Sequence, residues 1–254
     1  MGEIQLKRYK FILEYDGSRF FGWQRQQSQH TVQQALEDQL AFFCKHAVTI
    51  HGAGRTDTGV NATGQVAHAD LIYPHSASRL QLALNHFLVP KGLSVVNCVE
   101  VEPDFHARYS AIYRSYEYTI LNRCAPAVCD SKVWHVGKAL DVEAMHMAAQ
   151  QLVGIYDFSS FRDSQCQSKT PIKTISRFDI IRDGNYIVAN LQAPSFLHHQ
   201  VRIMIGTIKN VGAGRISVDD FIRIRDSKDR TKAGITAPPQ GLTLTNVRYN
   251  NITC

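Results

Sequence analysis

Residues 52 to 64 read Gly52-Ala53-Gly54-Arg55-Thr56-Asp57-Thr58-Gly59-Val60-Asn61-Ala62-Thr63-Gly64. Val48 and Ile50 alternate with polar residues before the stretch, and Val66, Ala67, Ala69 and Leu71 follow it. It therefore reads as a connection between two strands. Four glycines share it with one guanidinium and one carboxylate. Glycine reaches backbone angles other residues resist and lets a ligand approach the main chain. An Asp two residues from an Arg suits a reactive carboxylate kept ionised by a nearby cation. A glycine-rich turn with a solvated Asp and Arg is the plain alternative, and what surrounds the loop decides between them.

Working outward, Tyr9, Phe11, Leu13 and Tyr15 alternate with Lys10, Ile12 and Glu14, which predicts a strand over 9–15, stopped by Asp16-Gly17. Thr31 with Gln34 forms a capping-box pattern opening a helix striped by Val32, Leu36, Leu40 and Phe43. Ser78 opens a second helix that Pro90 and Gly92 end, and 93–101 is another strand. A second α/β half echoes this element order without repeating the sequence. It has a strand at 115–121 and a helix capped by Asp141 that runs to Val153. Strands at 174–182 and 186–192 flank the hairpin signal Asp183-Gly184-Asn185. A helix follows over 197–211, and a last strand over 242–248. The boundary falls near Pro103, so the halves are 1–103 and 104–254. Residues 227–240, with Lys228, Arg230, Lys232 and Pro238-Pro239, read as a mobile basic loop.

Composition narrows the function classes. A chain of 254 residues with 44% hydrophobic content supports one large core or two modest ones. A net charge of +6 suits a polyanionic partner. Six cysteines without a CxxC pair read as reduced thiols, not a disulfide framework or zinc site. No apolar run approaches membrane-span length, the start lacks the apolar stretch of a signal peptide, and Leu6 denies Gly2 a myristoylation context. Cytoplasm is the expected compartment.

Other uses of the glycine loop fail on its residues. Asp57 stands where a dinucleotide fingerprint needs its third glycine, and no Gly-Lys-Ser/Thr follows, so no nucleotide cofactor is expected. Asp57-Thr58-Gly59 spells the aspartic protease triplet, but there is no second copy, and Arg55 favours full ionisation over a shared proton. His198 and His199, adjacent on a helix, point apart and make poor joint metal ligands. Tandem RNA-recognition domains, a non-catalytic rival, would carry an aromatic Lys/Arg-Gly-Phe/Tyr run that this chain lacks.

An ordered set of motifs resembles the TruA family of tRNA pseudouridine synthases. It comprises Leu13-Glu14-Tyr15-Asp16-Gly17 with Phe21-Gly22-Trp23-Gln24, then Gly52 to Ala62 around Arg55-Thr56-Asp57. Phe105-His106-Ala107-Arg108 through Tyr116-Glu117-Tyr118 follow, then Asp157 to Arg162, Phe196 to Arg202, and Gly241-Leu242-x-Leu244. One departure stands out: Asn61 occupies a place where the family commonly has His, which puts an acid–base role there in doubt. A catalytically silent tRNA-binding relative is therefore the second reading.

No ligand constellation has plausible metal spacing, so no metal is expected, and the resemblance implies a cofactor-free isomerase that acts on uridines in the anticodon stem-loop of tRNA, at tRNA positions 38 to 40. It implies a mostly antiparallel mixed sheet flanked by helices, built from two similar α/β halves with a cleft between them, and a homodimer. Asp57 would be the catalytic carboxylate, attacking the sugar carbon or removing a sugar proton. Arg202, at the edge of the stripe of Val201, Ile205 and Ile208, can snorkel to water or turn inward; the resemblance implies pairing with Asp57. Tyr116 would stack on the uracil, although core packing alone also explains a strand face of Tyr116, Tyr118 and Ile120. Arg55 would hold the target base out of its stack. Arg19, Arg25, Arg108, Arg114 and the 228–232 cluster are the expected phosphate contacts, and Arg25 beside Trp23 and Phe20-Phe21 is the best basic–aromatic interleaving.

Overall fold

The computed structural model describes residues 6–73 and 75–250; Gly2 and Cys254 lie outside them. It is a mixed α/β protein of mostly antiparallel strands and flanking helices. Two compact units divide the chain. One comprises the residues up to Ile112 and those from Leu244 onward, the other Tyr113–Thr243. The division thus lies beyond the boundary read at 103, and the last strand returns to the first unit.

The first unit contains β1 (Lys7–Tyr15), α1 (Val32–Cys44), β2 (His51–Gly52), β3 (Asn61–Leu71), α2 (Ala77–Leu88) and β4 (Leu93–Val101). Its strand order is β4-β1-β3, all antiparallel, with β2 added on β3. Tyr9, Phe11, Leu13 and Tyr15 are buried, as their alternation requires. Strand β4 slips past β1 between Val95 and Asn97, leaving Val96 without a partner on β1. Side chains of α2 satisfy this bulge: Val95 N–H donates to Asn85 Oδ1 at 2.7 Å, and the Gln81 amide donates to the Val95 and Val96 carbonyls. Thr31 caps α1 and Ser76, not Ser78, caps α2, because the helix begins two residues earlier. Gly92, at φ +84°, ends the turn after α2.

The glycine stretch differs from its reading at both ends. Only His51 and Gly52 form strand before it, and β3 already starts at Asn61, so the loop proper is 53–60.

The second unit holds β5 (Ala111–Leu121), most of which belongs to it, β6 (Trp134–His135), α3 (Val142–Gln150), β7 (Gly154–Asp157), β8 (Ile172–Ile175), β9 (Arg177–Asp183), β10 (Tyr186–Ala193), α4 (Gln200–Gly212) and α5 (Val218–Asp226). Here the order is β5-β10-β9, antiparallel, with β6 parallel beside β5 and a separate β7–β8 ribbon. The Asp183-Gly184-Asn185 hairpin forms as expected, with Gly184 at φ +55°. The run read as one strand over 174–182 breaks at Ser176, whose N–H turns to the Gln192 carbonyl. Helix α3 stops at Gln150, short of Val153, and α4 starts at Gln200, not Leu197. Helix α5 adds to the elements read from the sequence, and its signal is the capping box of Ser217 and Asp220. The last strand, β11 (Leu242–Tyr249), carries the chain back, its residues from Leu244 lying in the first unit.

The basic segment 227–240 is fastened, not mobile. Ala237 N–H donates to the Arg202 carbonyl, Gly234 N–H to Thr207 Oγ1, and the Arg230 guanidinium to the Gly234 carbonyl. The two bonds to α4 connect residues some thirty apart and leave no local periodicity to read.

Candidate active site

In the first unit, loop 53–60 is held from three sides. The Asp57 carbonyl accepts from Val60 N–H at 3.1 Å, closing a four-residue turn that Asp57 opens and in which Gly59 takes φ +80°. Thr56 is buried, with its Oγ1 2.8 Å from the Tyr15 hydroxyl at the end of β1. Buried Gln65 donates to the Gly54 carbonyl at 2.9 Å and accepts from Val66 N–H. The Thr56 carbonyl accepts from Trp23 N–H, and the Trp23 indole covers Gly52. Gly22, at φ +80°, lies so near the Thr56 carbonyl that a Cβ would come within 2.8 Å of it. Burial pushes the Tyr15 phenol up to about 12, against its bonds to Thr56 and Gln65, so it stays a neutral hydroxyl. Asp57 itself is half-buried, between buried Thr56 and exposed Thr58, while Arg55 is exposed.

Asn61 is buried, and its Oδ1 accepts from the Gly17 N–H at 3.0 Å. A side-chain amide fills this post by hydrogen bonding and needs no titration. The same turn is tight enough that a Cβ on Gly17 would fall within 2.3 Å of the Val60 carbonyl.

In the second unit, Tyr116 is buried on β5 with its ring edge-to-face against Phe196, centroids 5.3 Å apart. Tyr118, two residues on, donates its hydroxyl to the Pro238 carbonyl at 2.8 Å. Burial raises its phenol well above the usual range, and the neighbouring Arg202 cation opposes part of that shift. Arg202 is half-buried on α4, and its Nε donates to the Ala237 carbonyl at 2.7 Å. Of the two courses open to this side chain, the bond to Ala237 takes it toward segment 234–238 and beside Tyr118, not along the stem into bulk water.

Comparison with known proteins gives these residues a family. The model describing tRNA pseudouridine synthase matches residues 12–110 and 148–250. Two relatives, both called tRNA pseudouridine synthase A, stand out. The chain is 49% identical over 246 residues to that of Paramagnetospirillum magneticum, covering 96% of each chain. It is 50% identical over 245 residues to that of Rhodospirillum centenum, covering 96% of this chain and all of that one. The chain belongs to the tRNA pseudouridine synthase family.

Within this pseudouridine synthase the residues expected to meet phosphate have diverse settings. Arg25 reaches the Glu37 carboxylate at 2.9 Å and lies 3.8 Å from Asp38. Arg19 donates to the Pro90 carbonyl and lies 3.7 Å from Asp16. Arg114 is buried on the same strand face as Tyr116 and donates to the Pro194 carbonyl at 2.7 Å, an interior setting that the basic charge did not foretell. Arg108 is exposed, its guanidinium 5.8 Å from the ring of Tyr109, itself exposed.

The paired histidines correct the sequence reading. His199 takes φ +60° as the cap of α4, so the two are not consecutive helical residues, and their rings lie 3.9 Å apart. Asp163 binds both, 2.8 Å from His199 Nδ1 and 3.6 Å from His198 Nδ1. An acidic partner is thus present, supplied by a turn more than thirty residues away. The braces Tyr15, Thr56 and Gln65 leave only faint marks in the sequence: a polar tip on an apolar strand face and a glutamine inside an apolar run.

Proposed function

We propose that this chain isomerises uridine to pseudouridine in the anticodon stem-loop of tRNA, with Asp57 as the catalytic carboxylate. The observation that carries the reading is the bracing of loop 53–60, which fixes Asp57 through buried neighbours while leaving it half-exposed to a substrate. Its support from relatives is the name tRNA pseudouridine synthase A, shared by proteins matching 96% of the chain. Arg202 supplies the cation that keeps the carboxylate ionised when substrate excludes water. Tyr116 contacts the uracil, and Arg55 holds the base out of its stack at a cost of a few kcal/mol. Arg25, Arg108 and Arg114 contribute to RNA binding, Arg114 by holding the strand that carries Tyr116. A cytoplasmic homodimer is the working form, acting without metal or small-molecule cofactor.

The experiment is pseudouridine mapping in tRNA incubated with the purified protein. Conversion confined to the anticodon stem-loop, and lost with Asp57→Asn, is the expected result. Intact tRNA binding with no pseudouridine formed would establish the silent relative instead.

A further inference from the structure

A pocket of about 210 Å³ in the second unit is lined by Val136, Gly137, Ala139, Leu140 and Ala213 and by three cations. These are Lys138, Lys209 and Arg215, and no carboxylate lines the pocket. Among the described residues, none of the three forms an ion pair. Lys209 lies 6.0 Å over the ring of Trp134. Burial, then Arg215 and Lys138, lower its ammonium below the ordinary lysine value, so the three charges oppose one another. Two of them sit near the C-terminal end of α4, where cations are favoured, but Lys138 comes from the β6–α3 connection and has no such reason to join them.

We propose that this pocket is a binding site for a phosphate group. Three cations with no anion among the lining residues create a local positive field that a compact anionic phosphate, a singly charged RNA phosphodiester or a free phosphate ion, partly offsets. Apolar walls of Val136, Leu140 and Ala213 lower the local dielectric and strengthen that attraction. Gly137, Lys138 and Ala139 line the same space, and their backbone N–H groups have no protein acceptor among the described residues. The phosphate comes either from an RNA backbone or from solution. The RNA form rests on the tRNA reading above and adds to it a contact that positions the substrate without reading its sequence.

The test uses the full chain and the variant K138Q/K209Q/R215Q. One arm follows line broadening of inorganic phosphate by phosphorus NMR at constant ionic strength. The other measures tRNA affinity against salt. The wild type should broaden the phosphate signal saturably, and the variant should lose that effect. For tRNA, the variant should bind several-fold more weakly at low salt, with its log–log salt slope shallower by roughly 0.7–0.9 for each phosphate it no longer neutralises. Loss in the RNA arm alone assigns the site to the RNA backbone, and loss in the NMR arm alone assigns it to free phosphate. Wild-type behaviour of the variant in both arms overturns the site. Removing mutually repelling charges should leave the melting temperature unchanged or higher; if the triple variant does not fold, K138E/R215E at the two exposed positions carries the same test. Pseudouridine formation by the wild type, measured separately, fails only if the functional reading fails.

Discussion

The hydroxyl of Tyr15, at the end of β1, and the Oγ1 of Thr56, in the loop that presents Asp57, lie 2.8 Å apart with both residues buried. This bond ties the residue before Asp57 to the end of β1, the strand paired on both sides in the first unit's sheet. Tyr15→Phe removes one partner and leaves Thr56 Oγ1 without it. Stability should fall by about 1–3 kcal/mol, measured by urea unfolding, and turnover should fall more than tRNA affinity because the carboxylate is less well held. Since the phenol is pushed up to about 12, the wild-type pH–rate profile should show no ionisation of Tyr15 in the neutral range. A variant with unaltered turnover and stability would show that the brace has no such role.

Asp57→Asn is nearly isosteric and preserves hydrogen bonding, but it can neither attack carbon nor accept a proton. Isomerisation should fall below detection while melting temperature and tRNA affinity stay near wild type. Appreciable pseudouridine formation by a pure preparation would remove Asp57 from its assigned role.

Arg202→Met keeps the apolar stem and deletes the charge. On the role proposed for Arg202, the Asp57 carboxylate loses a stabilising cation, and the acid limb of the pH–rate profile should move to higher pH. Arg202→Lys should restore most of that position, though without the guanidinium fork. Deleting the bond to the Ala237 carbonyl adds about 0.5–1.5 kcal/mol of destabilisation, read from thermal unfolding. An unmoved acid limb in Arg202→Met would pass the pKa role to Arg55.

His68 provides a pH prediction that concerns stability alone. It is buried beside His51 and His106, and its Nδ1 accepts from Ala107 N–H at 3.1 Å. Burial first, then the His106, Arg8 and His51 charges, depress its pKa from 6.5 to about 4. The unfolded chain therefore binds this proton more readily than the folded one. The contribution is fully present above pH 6.5 and is lost as pH falls toward 4, by on the order of 1–3 kcal/mol after solvent screening. His68→Asn retains an acceptor for Ala107 and should flatten the slope of unfolding free energy against pH across that window. His106, which burial also lowers, and the carboxylates whose partners hold them below their ordinary range contribute to the residual slope. Equal slopes in wild type and variant would refute the assignment.

What the chain determined by itself is local. The alternation of Tyr9, Phe11, Leu13 and Tyr15, the caps at Thr31 and Asp141, the Asp183-Gly184-Asn185 hairpin and the glycines around Asp57 each depend on neighbours within a few residues, where periodicity and backbone sterics act. The ordered motifs also carried the family. Tertiary structure decided how each polar group is used. Only the fold sends Arg114 inward to Pro194, commits Arg25 to Glu37, and lets the αL turn at His199 place two histidines on Asp163. Only the fold stitches segment 227–240 to α4 and braces Thr56 through Tyr15. These arrangements join residues about a dozen to eighty positions apart. A charged or hydroxyl side chain is compatible with either surface or interior, and its partner alone settles which.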